Sequence, residues 1–259
     1  MLIREDDRGP LVIGQQSHAW LSGQLARRWG NERFGRLHPY EPVCLAAEQH
    51  DIGWGEWEQK PLLDPSSGRP RSFMEMPLDS HLAIFSEGPR RLISQSRYAA
   101  LLVSMHGWRL YARRDLDRAE RSDADAIRDF LAAQEQLQSE LRQALQNDPA
   151  TAAGADDAVI ERNSMLVWTW DYLSLALCLG WSPATAKRCP TAEGEVDLEL
   201  TLEEASAGLD PWPFSETVVT VRCEGRRLTE RFEHEGALRD ALAQAPWETL
   251  EFELRPLSP

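Results

Sequence analysis

The stretch Met165-Leu166-Val167-Trp168-Thr169-Trp170-Asp171-Tyr172-Leu173 lies in the most apolar segment of the chain, residues 156–180. Its period is helical, and apolar side chains fall on nearly every face, so other elements must enclose it. Asp171 interrupts it. A buried carboxylate without a partner is costly, and a metal, a histidine or an arginine meets the need. Outward from this helix, helical patterns occupy residues 15–29, 43–51, 78–94, 97–111 and 119–147. Pro42 suits the first turn of the second of these, and Ser17 is a candidate cap for the first. Strand-like alternation is confined to the ends. It covers 1–4 and 11–13, then 196–202, 217–222, 226–232 and 249–254, with Gly225 read as a turn and a short helix over 237–245. Residues 53–78, rich in Trp, Pro, Gly and Ser, read as a long loop. These patterns predict a mainly α protein. A β-hairpin spans 1–14, a helical domain 15–182, and a small strand-rich appendage 183–259 that can pair with the hairpin.

The chain has 259 residues, with 28 Lys plus Arg against 42 Asp plus Glu, a formal net charge of −14. Ten Trp and a normal aliphatic content exclude low-complexity disorder. No apolar run approaches the ~20 residues of a spanning helix. The acidity argues against a nucleic-acid binder, which needs a basic surface. It leaves room for a small anionic substrate, because a metal or local arginines can reverse the sign within one pocket. Cys44, Cys178, Cys189 and Cys223 form no C-x-x-C pair and read as buried reduced thiols. The opening residues carry no long apolar run, so a cytoplasmic protein is expected.

Four of the six histidines, His18, His50, His81 and His106, fall on separate predicted helices, and Asp51 follows His50 directly. Imidazole and carboxylate are the ligands expected for Zn, Fe, Mn, Co or Ni. Neighbouring residues on a helix point ~100° apart, so one ion takes both His50 and Asp51 most easily at a helix end, near Gly53. Each residue also has a structural alternative: a surface or core histidine, a capping pair, a buried Asp–Arg pair. One shared cation accounts for all of them together. His38 and His234 read as surface residues.

The ordered set His18, His50-Asp51, His81, His106, Asp171 resembles the HD superfamily of metal-dependent phosphohydrolases. The segments 15–24 and 48–57 also look like an uncharacterised bacterial domain family of unknown function. The resemblance covers about residues 14–180 and implies an HD-type helical bundle holding one or two divalent metal ions. His18, His50, Asp51 and Asp171 would hold one ion. Asp51 would bridge to a second held by His81 and His106, and a metal-activated water would be the nucleophile, with His50 and Asp51 at the catalytic centre. The Gly-Tyr-Pro motif of the cyclic-dinucleotide branch is absent. The expected activity is hydrolysis of a small phosphate ester or nucleotide-like substrate. A di-iron oxygenase acting on a small organic substrate, as in some superfamily members, and a non-catalytic metal- or ligand-binding module are the alternatives.

Candidate substrate contacts are Trp54 and Trp57, just after the His-Asp pair, and Arg69, Arg71, Arg109 and Arg113, which can clamp phosphate or carboxylate. Glu48 and Glu56 are candidate proton carriers. The expected partner is a small anionic molecule, with no nucleic acid and no membrane. A homodimer contact through the tail is left open. No P-loop, G-x-G-x-x-G or G-x-S-x-G is present.

Overall fold

The computed structural model describes residues 1–203, 206–228 and 230–257. The helices are α1 (Gln15–Arg28), α2 (Tyr40–Gln49), α3 (Gly55–Glu58), α4 (Leu78–Leu92), α5 (Arg97–Ala112), α6 (Arg121–Gln146), α7 (Asp157–Leu179) and α8 (Glu235–Gln244). The strands are β1 (Leu2–Arg4), β2 (Leu11–Ile13), β3 (Leu63–Asp64), β4 (Arg69–Pro70), β5 (Ala184–Pro190), β6 (Glu195–Glu203), β7 (Ser206–Asp210), β8 (Val219–Arg227) and β9 (Trp247–Pro256).

A helical bundle with a small appendage is not the architecture. About half of the chain is helical and about a fifth is strand. The strands from both ends form one seven-stranded sheet, in the order β1-β2-β8-β9-β7-β6-β5. Among the described residues, only the β7–β9 pair is parallel. Strand β2 joins β8 with Leu11 opposite Arg227 and Ile13 opposite Gly225. One continuous core holds Leu11 and Ile13 of the sheet, Leu21 and Leu25 of α1, Leu101 of α5, Trp170 and Leu177 of α7, and Val221 and Leu254 of the sheet. The expected pairing of the C-terminal strands with the N-terminal pair is present through β2 and β8, but the sheet is seven-stranded and shares the core with the helices rather than standing as a small appendage. Gly225 is not a turn. It lies inside β8, where a Cβ would come within 3.0 Å of the Val12 carbonyl oxygen, so its missing side chain admits β2.

Helix α1 continues from β2 and takes over the edge of β8 where β2 stops. Ser17 Oγ donates to Glu224 O (2.8 Å) and accepts from Glu224 N (2.9 Å). Gln24 does the same for Arg222, through Nε2 to O (2.7 Å) and Oε1 from N (3.1 Å). Two side chains thus satisfy strand backbone that would otherwise be left unpaired. Ser17 is therefore an edge anchor; the residue at the N-cap of α1 is Gly14. Helix α7 begins with Asp156 accepting from Ala158 N and Val159 N, and ends at Gly180 with φ +74°. Its far end meets the sheet at Cys178, whose Sγ lies 3.5 Å from that of Cys223 in β8. All four cysteines are free and buried. Burial pushes the Cys44 thiol up to about 11 and the Cys189 thiol up to about 12, so both stay protonated.

Residues 53–78 are not a structureless loop. They contain a 3-10 helix at Ile52–Trp54, α3, the β3–β4 pair, and a second 3-10 turn at Phe73–Glu75 closed by a Ser72/Glu75 capping box. The Ser-x-x-Glu spacing of that box was present in the sequence.

Candidate metal centre

His18 comes from the first turns of α1, which the sheet edge holds through its neighbour Ser17. Helix α2 stops at His50, and Asp51 begins the short 3-10 helix Ile52–Trp54. The chain turns between the two residues, so both side chains reach one point despite adjacency. Asp171 enters from the middle of α7 and His106 from α5.

These side chains meet in a buried cluster. His18 Nε2 lies 3.2 Å from Asp171 Oδ1, 3.3 Å from His50 Nε2 and 3.5 Å from Asp51 Oδ2. His50 Nε2 lies 3.2 Å from Asp171 Oδ1 and 3.8 Å from Asp51 Oδ2. His106 Nε2 is 3.8 Å from Asp171 Oδ2. Two overlapping groups have ligand atoms within 4.8 Å of one another: His18, His50 and Asp51, and His50, His106 and Asp171.

Protons account for only part of this packing. His50 Nδ1 is 2.9 Å from the Ala47 carbonyl oxygen, which can only accept, so Nδ1 carries a proton. A His50 protonated at both nitrogens can donate from Nε2 to Asp171 Oδ1, yet His18 Nε2 also crowds that nitrogen at 3.3 Å. Nδ1 of His18 and of His106 are buried without a partner. Ligand atoms about 2.0–2.2 Å from a tetrahedral ion are roughly 3.3–3.6 Å apart, close to the edges measured here. The donor set and spacing therefore fit a divalent cation, with the Ala47 carbonyl orienting His50 from behind.

The same crowding sets the electrostatics. Burial opposes charge on His50, yet the carboxylates of Asp51 and Asp171 outweigh it and raise its pKa to about 9. Burial raises the pKa of Asp51. Burial acts likewise on Asp171, but hydrogen bonding to His18 and His50 overcomes it and holds the carboxyl well below the usual carboxylate range. His106 is pushed down to about 3, chiefly by burial.

The cluster forms the floor of a cavity of about 440 Å³. His81, from the first turn of α4, lines this cavity but belongs to neither ligand group. Its Nδ1 is hydrogen-bonded to the Tyr111 hydroxyl, and its ring packs edge-on against Trp54 and Phe85. Burial lowers its pKa to about 4, with Arg114 adding to the effect. Trp54 is fully buried in the cavity wall, while Trp57 stands behind it, ring centres 5.6 Å apart. The arginines named from the sequence are not in the lining. Arg69 pairs with Glu5. The backbone N–H of Arg71 donates to Leu62 O. Arg109 donates to Glu161 and Ser164 at 3.1 and 3.2 Å. Arg113 lies over the Trp168 ring. Glu48 and Glu56 are salt-bridged to Arg27 and Arg91. The arginine that does line the cavity is Arg114. It lies two residues past the end of α5, so the helical periodicity that places His106 and Leu110 gave no signal for it.

A family model described as "Protein of unknown function (DUF3891)" matches residues 1–230, most of the chain and both the helical and strand regions up to β8. The chain belongs to the DUF3891 family. No curated protein and no solved structure matches it. Among the described residues, no helix is long and apolar enough to cross a membrane.

Proposed function

We propose that this DUF3891 protein is a metal-dependent hydrolase of a small phosphate ester. The observation that carries the reading is the meeting of the His18 and His50 nitrogens with the Asp51 and Asp171 carboxylates, at histidine–histidine and histidine–carboxylate separations of 3.2–3.8 Å, beside a ligand-sized cavity. The ligand order His, His-Asp, His, Asp resembles that of the HD superfamily, and the proposal keeps that chemistry without its bundle. A divalent cation bound there supplies a Lewis acid for a phosphoryl oxygen and lowers the pKa of water at neutral pH.

The chain's own residues do the rest. His18, His50, Asp51 and Asp171 hold the cation, and the Ala47 carbonyl fixes the His50 tautomer. His106, kept neutral by burial beside Asp171, offers a further imidazole donor at the cavity floor. Trp54, Phe85 and Leu110 keep the walls dry, which strengthens the electrostatics at the reacting phosphate.

The test is elemental analysis of protein purified without added metal, joined to hydrolysis of p-nitrophenyl phosphate after reconstitution. Asp51→Ala and Asp171→Ala are each expected to lose most of the bound metal and the activity. His38→Ala, at an exposed position, keeps both. Equal metal content in all four proteins, or metal-replete wild type without phosphatase activity, defeats the proposal.

A further inference from the structure

The cavity above the metal cluster has a composition that selects among phosphate esters. Its walls are Phe73, Met74, Met76, Leu78, Leu110 and Leu175. Met74 is 69% exposed, a large apolar side chain left in water at the mouth. It sits on the 3-10 turn that the Ser72/Glu75 capping box fastens in place. Arg114 is the one arginine of the lining; it lies 4.6 Å above the Tyr111 ring and has no ion-pair partner among the described residues. Gln15 is the only uncharged amide or aliphatic hydroxyl in the lining, and the Tyr111 hydroxyl is already engaged by His81. A nucleotide would need partners for its ribose hydroxyls and base edge, and a polyphosphate would need more cations.

Resting on the hydrolase reading above, we infer that the substrate is a phosphomonoester of a small apolar alcohol, with its phosphate held by the metal cluster and Arg114 and its carbon body held by the Phe73–Met76 rim. Methionines suit such a rim because they adapt to different carbon shapes. The reaction breaks the ester P–O bond and forms a new one to the water oxygen. One water proton ends on the alcohol oxygen and the other stays on the released phosphate.

The test is calorimetric titration of the metal-loaded full chain with methylphosphonate, hexylphosphonate and adenosine 5′-monophosphate. Hexylphosphonate is expected to bind at least about tenfold tighter than methylphosphonate, since each buried methylene adds to affinity. Met74→Ser, at a site where folding is not at stake, should reduce that preference severalfold. Arg114→Gln should weaken both phosphonates by a similar factor. Equal affinity for the two phosphonates, tightest binding of the nucleotide, or no binding of any of the three overturns the inference. Selective hexylphosphonate binding without turnover of any phosphate ester supports the ligand class and defeats the hydrolase reading instead. Turnover that favours nucleotides over alkyl phosphates does the reverse.

Discussion

At the scale of single residues, the candidate site depends on where the backbone turns. His50 and Asp51 are neighbours that serve one point only because α2 ends between them, and the sequence marked that end with Gly53. Asp171 was legible because a carboxylate in so apolar a helix requires a partner. His81 was not, because nothing in the sequence shows that Tyr111 engages its Nδ1. Two predictions belong here. Zinc or manganese at 100 times its Kd should stabilise the wild type by about 2.7 kcal/mol, and should leave the melting temperature of Asp171→Ala unmoved. Equal shifts in both, read by thermal denaturation, would show that the cation binds elsewhere. The second concerns pH. Burial lowers His81 from 6.5 to about 4, so between those values the unfolded chain takes up a proton that the folded chain refuses. This contribution is complete above pH 6.5 and is lost as pH falls toward 4, by at most about 3 kcal/mol. His81→Asn should therefore lose less stability than wild type across that window in urea titrations. Parallel losses would mean that His81 is solvated.

At the scale of elements, the site is assembled by close approaches that only glycine permits. A Cβ on Gly23 of α1 would lie 2.7 Å from Glu48 Cβ and 3.1 Å from Glu48 Cα of α2. That contact keeps the helices of His18 and His50 together. A Cβ on Gly53 would overlap the Ile84 carbonyl oxygen of α4, so Gly53 seats the turn that carries Asp51 and Trp54. Gly23→Ala is expected to cost about 1–3 kcal/mol and to weaken metal binding as well, because the ligands move with their helices. Loss of stability with unchanged metal affinity would separate the packing from the site. Helix existence was readable from periodicity. The interhelix distance was not, since a glycine inside a helical pattern is silent about what it touches. The same holds for 53–78, where turns of three or four residues are too short for any period to register.

At the scale of the whole molecule, the sequence showed strands at both ends but gave no measure of how far they are joined. Alternation reports which face of a strand is buried, not its partner, and β5 and β7 gave too weak a pattern to be recognised at all. Because α1, α7 and the sheet share one core, residues 15–182 are expected not to fold alone. A chain ending at residue 182 should fail to unfold cooperatively, whereas the full chain should show coincident urea transitions by circular dichroism and by tryptophan fluorescence. A cooperative, metal-binding fragment would refute this. The pairing of Leu11 with Arg227 has a further consequence during biosynthesis. Segment 2–13 leaves the ribosome more than two hundred residues before the strand it is to lie against. Throughout that interval Leu2, Leu11 and Ile13 have no permanent shelter, so a nascent chain stalled before β8 is a candidate client for a chaperone, and translation speed through residues 183–227 bears directly on yield.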